Sequence, residues 1–366
     1  MSIQVCYQNR DGFAPFLADV AGKRVAVLYD VNTAPYTEQI KQQMRSVGCL
    51  VANVLYADAQ LLPTEDKCAR ALAAAKSVDY VLAVGSGTLN DMAKSAATQA
   101  GVPSGVLATA ASMDGYCSAG AALMRGGFKV TDTVNPPAHV LIDPDIIVTA
   151  PRIMTAAGFG DIVGKYTCLA DWQLSNIING EEIRQEAFTM MEKARGECMN
   201  AYTGLVQNHP AAVEKLMDAL ITAGLSMALC GNSRPASGSE HHQSHYLEMD
   251  FARRGEPIPM HGIKVGLGTL ISLELYHYLS MAKVPCKEYQ KVWALADTLP
   301  SPDSVRELLA GLGCPVRFRD IGVSRALMHR MLTEAHTVRD RYTILTLCAE
   351  RGLTACLAQP LIEKYY

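Results

Sequence analysis

The sequence predicts an α/β N-terminal domain with a doubly wound parallel sheet, followed by an all-α C-terminal domain. Two observations lead to this fold class. Short apolar runs alternate with helical patterns before Ala150, whereas long amphipathic patterns with few β-branched runs fill the remainder of the 366 residues. The character changes at Ala150 and Pro151, so the predicted domains cover residues 1–152 and 153–366.

The N-terminal elements follow one another as strand and helix. The predicted strands are short and apolar, and they cover residues 24–30, 51–56, 79–84 and 104–109. The predicted helices between and after them cover residues 36–47, 65–77 and 91–100. Strands that alternate with helices pair in parallel, which predicts the doubly wound sheet. Two more strands, at 128–132 and 139–142, have no helix between them.

The C-terminal elements are all predicted to be helices, because apolar residues recur there at helical spacing. They cover residues 162–179, 184–202, 210–230, 262–280, 286–296, 301–310, 324–335 and 344–349. The sequence shows no internal repeat and no low-complexity tract.

Composition excludes several classes of protein. Hydrophobic residues make up 49% of the chain and charged residues 19%, which favours large buried cores over disorder. The net charge of -3 argues against a general nucleic-acid binder. The eleven cysteines are scattered singly without a CxxC pair, as is typical of free thiols in a reducing cytosol. No signal peptide and no apolar stretch long enough for a bilayer are evident, so we expect a cytoplasmic protein.

A glycine turn follows the third predicted strand. Gly85, Ser86, Gly87 and Thr88 lie between that strand and a helix that begins by Asp91. Unpaired backbone amides at a helix start can bind a diphosphate, and glycines allow the phosphate to approach closely. The pattern differs from the GxGxxG fingerprint, so an ordinary strand-to-helix turn is the alternative.

Asp30 ends the first predicted strand. In doubly wound nucleotide-binding folds, an acid at such a position can bind the ribose hydroxyls and repel a 2′-phosphate, which would favour NAD over NADP. A turn or helix-cap role for Asp30 is an equal alternative.

A loop of small and polar residues follows the fourth predicted strand. It contains Thr109, Ser112, Asp114 and Ser118. Loops at the carboxyl ends of parallel strands line the cleft of this architecture, which makes these side chains candidates for ligand binding. A plain turn is the alternative interpretation.

Three distant segments contain residues of the kind that bind metals. Asp161 follows Gly158-Phe159-Gly160, His241 and His245 lie one helical turn apart, and His261 precedes a glycine. One oxygen and two imidazole ligands suit a divalent transition metal such as zinc, and three protein ligands leave a coordination position open for catalysis. Taken singly, Asp161 is a weak indication of a metal ligand, because an acid after glycines is usually a helix cap.

Four stretches carry a family resemblance. They are Ser112–Tyr116 (SMDGY), Gly158–Asp161 (GFGD), Ser233–His241 (SRPASGSEH) and Arg339–Leu345 (RDRYTIL). Together they resemble the iron-containing alcohol dehydrogenases, glycerol dehydrogenases and dehydroquinate synthases, and within them the glycerol-1-phosphate dehydrogenases. Archaeal members typically carry a histidine in place of Met113, so the bacterial branch is more similar.

The resemblance implies a dehydroquinate synthase-like fold, and it implies roles for individual residues. It implies a Rossmann-like NAD(P)-binding domain over residues 1–152 and a metal- and substrate-binding domain over residues 153–366. It implies one divalent metal, zinc foremost but also nickel or iron, and a homo-oligomer. The implied residues are Asp161, His241 and His261 for the metal; Gly85, Ser86, Gly87, Thr88 and Asp91 for the diphosphate; Asp30 for the ribose; Thr109, Ser112, Asp114 and Ser118 beside nicotinamide and substrate; and His245 near the reacting carbon.

The implied activity is the reversible reduction of dihydroxyacetone phosphate to sn-glycerol 1-phosphate with NAD(H) or NADP(H), a step of phospholipid biosynthesis. A relay through Asp114 or His245 is expected to deliver the proton. Arg234 and Lys165 are the candidate partners of the substrate phosphate, because they lie close in sequence to His241 and Asp161. A solvated helix face is the favoured alternative for Lys165.

Two other enzyme functions stay open. A glycerol dehydrogenase would share the metal and cofactor residues without needing Arg234. A carbocycle-forming lyase similar to dehydroquinate synthase would need more basic residues around its substrate, and often has a glutamate where Asp161 stands. A non-enzymatic relative is disfavoured because the implied ligand set is complete.

Overall fold

The computed structural model describes residues 3–10, 12–126 and 128–366. It divides the chain into two compact units. The first unit runs from the N-terminus to Pro151 and includes Asn208–Met217. The second unit comprises Arg152–Gln207 and Asp218–Tyr366.

The first unit is built around a parallel sheet. Its strands are β1 (Gln4–Tyr7), β2 (Arg24–Asp30), β3 (Leu50–Tyr56), β4 (Tyr80–Gly85), β5 (Ser104–Ala108), β6 (Gly120–Arg125), β7 (Phe128–Thr133) and β8 (His139–Ile142). Six of them form one sheet in the order β1-β8-β5-β4-β2-β3, while β6 and β7 form an antiparallel ribbon. All pairs of the large sheet are parallel, which confirms the predicted fold class. Strands β4 and β5 are buried along their whole length, as the apolar runs predict.

Helices connect these strands. They are α1 (Ala14–Val20), α2 (Ala34–Ser46), α3 (Glu65–Ala75), α4 (Gly87–Ala100) and α5 (Pro144–Ile147). Helix α4 begins four residues earlier than predicted, at Gly87, so the glycine turn is the start of the helix itself. It ends at Gly101, whose φ of 72° is the left-handed conformation that glycine adopts without strain.

The second unit is helical, as predicted. Its helices are α6 (Arg152–Val163), α7 (Lys165–Asn179), α8 (Gln185–Asn200), α9 (Tyr202–Val206), α10 (Pro210–Cys230), α11 (Ser239–Arg254), α12 (His261–Met281), α13 (Tyr289–Asp297), α14 (Pro302–Gly311), α15 (Arg325–Glu334), α16 (Ile344–Glu350) and α17 (Thr354–Tyr365). The start of α10 belongs to the first unit. Across the described residues, none of these helices is both long and apolar enough to cross a membrane.

The helix predicted over residues 162–179 corresponds to α7, which begins three residues later, at Lys165. The structure has two helices, α6 and α7, which meet at Gly164. Every residue of α6 from Thr155 to Val163 is buried, so the segment lacks the amphipathic period that marks a surface helix. Asp161 therefore lies in the last turn of a buried helix, and it is not a helix cap.

Glycines let three helices of the second unit approach closely. A Cβ atom added to Gly262 on α12 would lie 1.8 Å from the carbonyl oxygen of Ala157 on α6. One added to Gly268 would lie 2.7 Å from the carbonyl oxygen of Glu240 on α11. Only hydrogen fits at both positions, because real Cβ atoms do not approach backbone so closely. Helix α12 is thereby held against α6 and α11, the helices that carry the other candidate metal ligands.

Candidate metal and substrate site

The second unit brings Asp161, His241 and His261 together. One potential ligand atom of each residue lies within 4.8 Å of the others. The Nε2 atom of His241 is 3.8 Å from Oδ1 of Asp161, and the ring centroids of the two histidines are 5.0 Å apart. Asp161 and His241 are buried, whereas the His261 side chain keeps a quarter of its surface exposed. One carboxylate and two imidazoles at this spacing fit a divalent metal with an open side.

A buried carboxylate orients His241. The Glu240 Oε1 atom lies 2.7 Å from Nδ1 of His241, and Glu240 also accepts hydrogen bonds from the Gly238 amide and the Thr167 hydroxyl. A proton on Nδ1 leaves Nε2 available to a metal, which is the usual role of such a partner. Burial lowers the pKa of His241 well below its usual value, so the imidazole is neutral, as metal binding requires.

A second carboxylate, Glu248, contacts two histidines and one lysine. Its oxygens lie 3.1 Å from Nδ1 of His245, 3.4 Å from Nδ1 of His261 and 3.0 Å from Nζ of Lys264. The contact with His261 places its Nδ1 toward Glu248, so its Nε2 is the nitrogen suited to a metal. Nε2 of His245 must accept the hydrogen bond that Arg339 donates over 2.9 Å, which puts the His245 proton on Nδ1.

Lys165 is fully buried, so the favoured alternative of a solvated helix face is wrong. Its Nζ atom lies 2.9 Å from Oδ1 of Asp161 and 2.8 Å from the carbonyl oxygen of Ala236. The reason is that α7 packs inside the unit, where a lysine must find a counter-charge. Lys165 thus neutralises and orients a candidate metal ligand, while its contact with a substrate phosphate stays a prediction.

Arg234 is 2% exposed and forms a bidentate salt bridge with Glu181, at 3.0 and 2.7 Å. Its guanidinium also donates to the carbonyl oxygens of Tyr342 and Asp171, at 2.9 and 3.3 Å. The structure places Arg234 in the wall of a cavity of about 650 Å³. Its role toward a phosphate stays a prediction.

Several residues of this site were missed by sequence reasoning. Glu240 and Glu248 lie on the same helix as His241. Glu240 directly precedes His241 and Glu248 follows it seven residues later, a spacing that could have suggested both as partners of the candidate ligands. Arg339 and Arg341 lie inside a stretch that carries the family resemblance, yet nothing in their spacing marks them as neighbours of His245 and Ser237.

The glycine turn in the first unit has the geometry of a phosphate cradle. β4 ends at Gly85, Ser86 is the N-cap residue, and α4 begins at Gly87. No side chain caps the helix start. A Cβ atom added to Gly87 would lie 3.0 Å from the Met113 side chain, and Thr88 is half-buried. The first amides of a 14-residue helix therefore form no hydrogen bond to a capping side chain.

Asp91 has a structural function in this region. Its Oδ1 atom lies 2.9 Å from Nζ of the buried Lys94, and its Oδ2 atom accepts the amide of Ala122 at 2.9 Å. Lys94 also donates to the carbonyl oxygens of Gly115 and Gly120. Asp91 thus connects α4 to the polar loop and the ribbon, and its role toward the diphosphate stays a prediction.

Asp30 is buried at the carboxyl end of β2. Its Oδ1 atom accepts the amides of Asn32 and Thr33, at 3.0 and 2.9 Å, and the Thr33 hydroxyl at 3.1 Å. The turn role is therefore observed. Binding to a ribose stays a prediction.

The polar loop is joined to the glycine turn. The amide of Thr109 donates to the carbonyl oxygen of Gly85 at 3.2 Å. The Ser118 hydroxyl donates to the carbonyl oxygen of Gly115 at 3.0 Å. Ser112 is partly exposed and Asp114 is buried. These candidate residues belong to the first unit, and their contacts with cofactor and substrate stay predictions.

Comparison with known proteins supports the class of protein that the fold and the donor set define, the metal-dependent NAD(P)-linked dehydrogenases. The model of the iron-containing alcohol dehydrogenase family matches residues 9–151. A probable glycerol dehydrogenase from Sinorhizobium meliloti 1021 shares the fold, with a TM-score of 0.68, 20% identity and coverage of 98% of this chain and 96% of that chain.

Curated relatives are more specific. A glycerol-1-phosphate dehydrogenase [NAD(P)+] from Bacillus velezensis is 38% identical over 282 residues, which cover 76% of this chain and 72% of the relative. The protein of that name from Halalkalibacterium halodurans is 35% identical over 339 residues, which cover 88% of this chain and 85% of the relative. The chain therefore belongs to the glycerol-1-phosphate dehydrogenase family, which confirms the resemblance.

Proposed function

We propose that this chain catalyses the reversible reduction of dihydroxyacetone phosphate to sn-glycerol 1-phosphate with NAD(P)H, at a divalent metal held by Asp161, His241 and His261. The observation that carries the proposal is the cluster of these three residues within 4.8 Å, in a chain of this family. The relatives bear the name of this activity and of these cofactors.

A divalent metal supplies Lewis-acid polarisation of a ketone oxygen, and the nicotinamide supplies the hydride. The chain's own residues set up this chemistry. Lys165 orients Asp161, and Glu240 and Glu248 hold His241 and His261 with their Nε2 atoms toward the site. Zinc is the expected ion, although the same donors accept nickel or iron.

The first unit supplies the cofactor side of the proposal. Gly85, Ser86, Gly87 and Thr88 would hold the diphosphate at the start of α4, where backbone amides are presented. Asp30 would contact the ribose. The predicted residues near the nicotinamide are Thr109, Ser112 and Ser118, beside the same turn.

The proton of the reaction would pass through Asp114 or His245. The His245 proton is on Nδ1, where Glu248 accepts it, and Nε2 is engaged by Arg339. His245 can therefore serve as a relay once its Nε2 exchanges the Arg339 hydrogen bond for one with water.

The test is NAD(P)H oxidation by the purified protein with three substrates: dihydroxyacetone phosphate, dihydroxyacetone and a heptulosonate phosphate. We expect the phosphorylated triose to be reduced far better than the unphosphorylated one. A preference for dihydroxyacetone would replace the proposal with a glycerol dehydrogenase. Conversion of the heptulosonate phosphate without net NAD(P)H oxidation would replace it with a lyase.

We also propose that the protein works in the cytoplasm as a homo-oligomer. All eleven cysteines are free thiols, which suits a reducing compartment. Light scattering on the eluted protein measures the number of copies, and a monomer at working concentration contradicts this part of the proposal.

A further inference from the structure

Three arginines of the second unit, Arg234, Arg339 and Arg341, line one open cavity of about 650 Å³. We propose that Arg339 and Arg341 bind the phosphate group of the substrate, and that Arg234 is a positioning residue for the segment that carries them. This inference rests on the proposed function and deepens it, because it assigns the phosphate to residues other than Arg234 and Lys165.

Protein groups already accept hydrogen bonds from Nε and Nη2 of Arg234. Glu181 neutralises its charge through two hydrogen bonds, and the carbonyl oxygen of Tyr342 accepts a third at 2.9 Å. The remaining nitrogen, Nη1, is buried without a hydrogen-bond partner among the described residues. Arg234 therefore ties Tyr342, the residue after Arg341, to α7 and the loop that follows it. A positioning role follows from these contacts.

Arg339 and Arg341 differ from Arg234, which has a carboxylate partner in Glu181. Within the described part of the chain, no carboxylate forms a salt bridge with either guanidinium. The cavity also contains the carboxylates of Glu181 and Asp340, and Glu181 is paired with Arg234. Burial, followed by the charges of Arg234 and Arg339, lowers the pKa of Arg341 to about 10. Glu248 acts on Arg339 and Glu181 on Arg341 only at longer range, so a dianionic phosphate would supply the direct counter-charge.

Both arginines keep donors available. Arg341 donates Nη1 to the carbonyl oxygen of Ser237 and Nη2 to the Ser233 hydroxyl, at 2.6 and 3.1 Å. Arg339 donates Nη2 to His245, and its Nη1 lies 3.5 Å from the same Ser233 hydroxyl. A guanidinium has five N–H groups in a rigid fork, so each side chain can still offer hydrogen bonds to phosphate oxygens. Both guanidinium groups contact the Ser233 hydroxyl, which holds them close to each other.

The separation from the metal ligands suits a small phosphoketone. Arg339 contacts His245, whose ring centroid lies 6.2 Å from that of His241 and 5.9 Å from that of His261. One imidazole therefore stands between Arg339 and the candidate metal site. In dihydroxyacetone phosphate, one carbon and one ester oxygen separate the ketone from the phosphorus. None of the three candidate metal ligands lines the cavity, so a ketone at the metal would have to extend its phosphate past His245 to meet Arg339.

The experiment compares Arg339→Ala and Arg341→Ala with the wild type in the metal-loaded full-length enzyme. Each variant should lose kcat/KM with dihydroxyacetone phosphate about 30-fold more than with dihydroxyacetone, because a cationic partner of the phosphate is removed, half-buried at Arg341 and exposed at Arg339. Inorganic phosphate should inhibit the wild type and inhibit both variants much more weakly. Arg339→Lys and Arg341→Lys should recover part of the loss, because the charge returns without the fork.

Arg319→Ala is the matched control. Arg319 is exposed, pairs with Asp320 at 3.7 Å and does not line the cavity. It should leave both substrates and phosphate inhibition unchanged. Arg234→Lys should lower activity on both ketones together, as expected of a positioning residue. A loss confined to the phosphorylated substrate would instead indicate that Arg234 itself contacts the phosphate.

Calorimetric binding of inorganic phosphate separates the two proposals. If the wild type does not reduce dihydroxyacetone phosphate but binds phosphate, and both alanine variants lose this binding, the proposed function fails and the anion site stands. If the variants bind phosphate as the wild type does, or lose activity equally on both ketones while melting normally, the arginine pair is not the phosphate site and the inference is overturned.

Discussion

The two candidate sites of the molecule differ in the groups that would bind their ligands: side chains in one and backbone amides in the other. In the second unit, Asp161 and His241 are oriented by the buried side chains of Lys165 and Glu240. In the first unit, the turn at Gly85 to Thr88 offers backbone amides, and no side chain caps the helix that begins there. One site is a network of side chains, and the other is a bare helix start.

The difference shows how each ligand would be recognised. A metal needs donors in fixed protonation states and directions, so its ligands are held by further charged groups. A diphosphate is bound by amides whose direction the helix already sets. Substitutions in the metal site should therefore act mainly by changing charge, and those in the nucleotide turn by changing shape or local repulsion. We expect much larger losses of activity from substitutions in the metal site.

The largest effect is expected from His261→Ala. Loss of one of three candidate ligands should abolish turnover and lower the metal content, because the remaining two donors cannot hold the ion in place. Elemental analysis and steady-state kinetics measure both. His329→Ala, which removes an exposed histidine on α15, is the control. Full activity in metal-stripped wild-type protein would show that the cluster is not a catalytic metal site.

Lys165→Met should affect stability in a way that depends on the metal. The variant removes the cation 2.9 Å from Asp161, and loss of one partner of a buried pair costs about 3–5 kcal/mol. A bound divalent ion supplies replacement charge, so the loss should be smaller in the loaded protein. Denaturant unfolding with and without metal measures the difference. Lys193→Met is the exposed control, and equal losses in both forms would separate Lys165 from the metal site.

Glu240→Gln should weaken metal binding about 10–100-fold, because outer carboxylates raise the donor strength of ligand histidines and fix their orientation. The amide can still contact Nδ1 of His241 but carries no charge. Competition with a chelator gives the affinity. Glu288→Gln removes a charge at an exposed position for comparison. Unchanged affinity would mean that Glu240 contributes to folding alone.

The smallest effect is expected at the nucleotide turn. We predict that the wild type prefers NAD(H), because Asp30 would repel a 2′-phosphate. Asp30→Asn retains the Oδ1 acceptor of the Asn32 and Thr33 amides while it removes the charge. The ratio of kcat/KM with NADPH to that with NADH should therefore rise, with little change in melting temperature. A constant ratio would leave Asp30 only its turn role.

Much of the fold could be predicted because its signals are local. The valine-rich segment of β2 and the fully apolar β4 predicted buried parallel strands, and α14 has an amphipathic pattern. Helix α6 was not predicted because it is buried on all sides and has no period to detect. Helix α11 was missed as an element because its buried residues include Glu240 to Ser244, which are polar and look like a surface segment.

By itself the sequence determined the fold class, the glycine turn and the residue types that could bind a metal, because periodicity and donor chemistry are properties of neighbouring residues. Tertiary structure alone decided which charges meet. Lys165 and Asp161 are only four residues apart, but it is the burial of both side chains that makes them pair with each other, and Arg339 reaches His245 across 94 positions of the chain. Burial and partnership depend on helices that pack from distant segments, so the roles of these side chains appear only in the folded molecule.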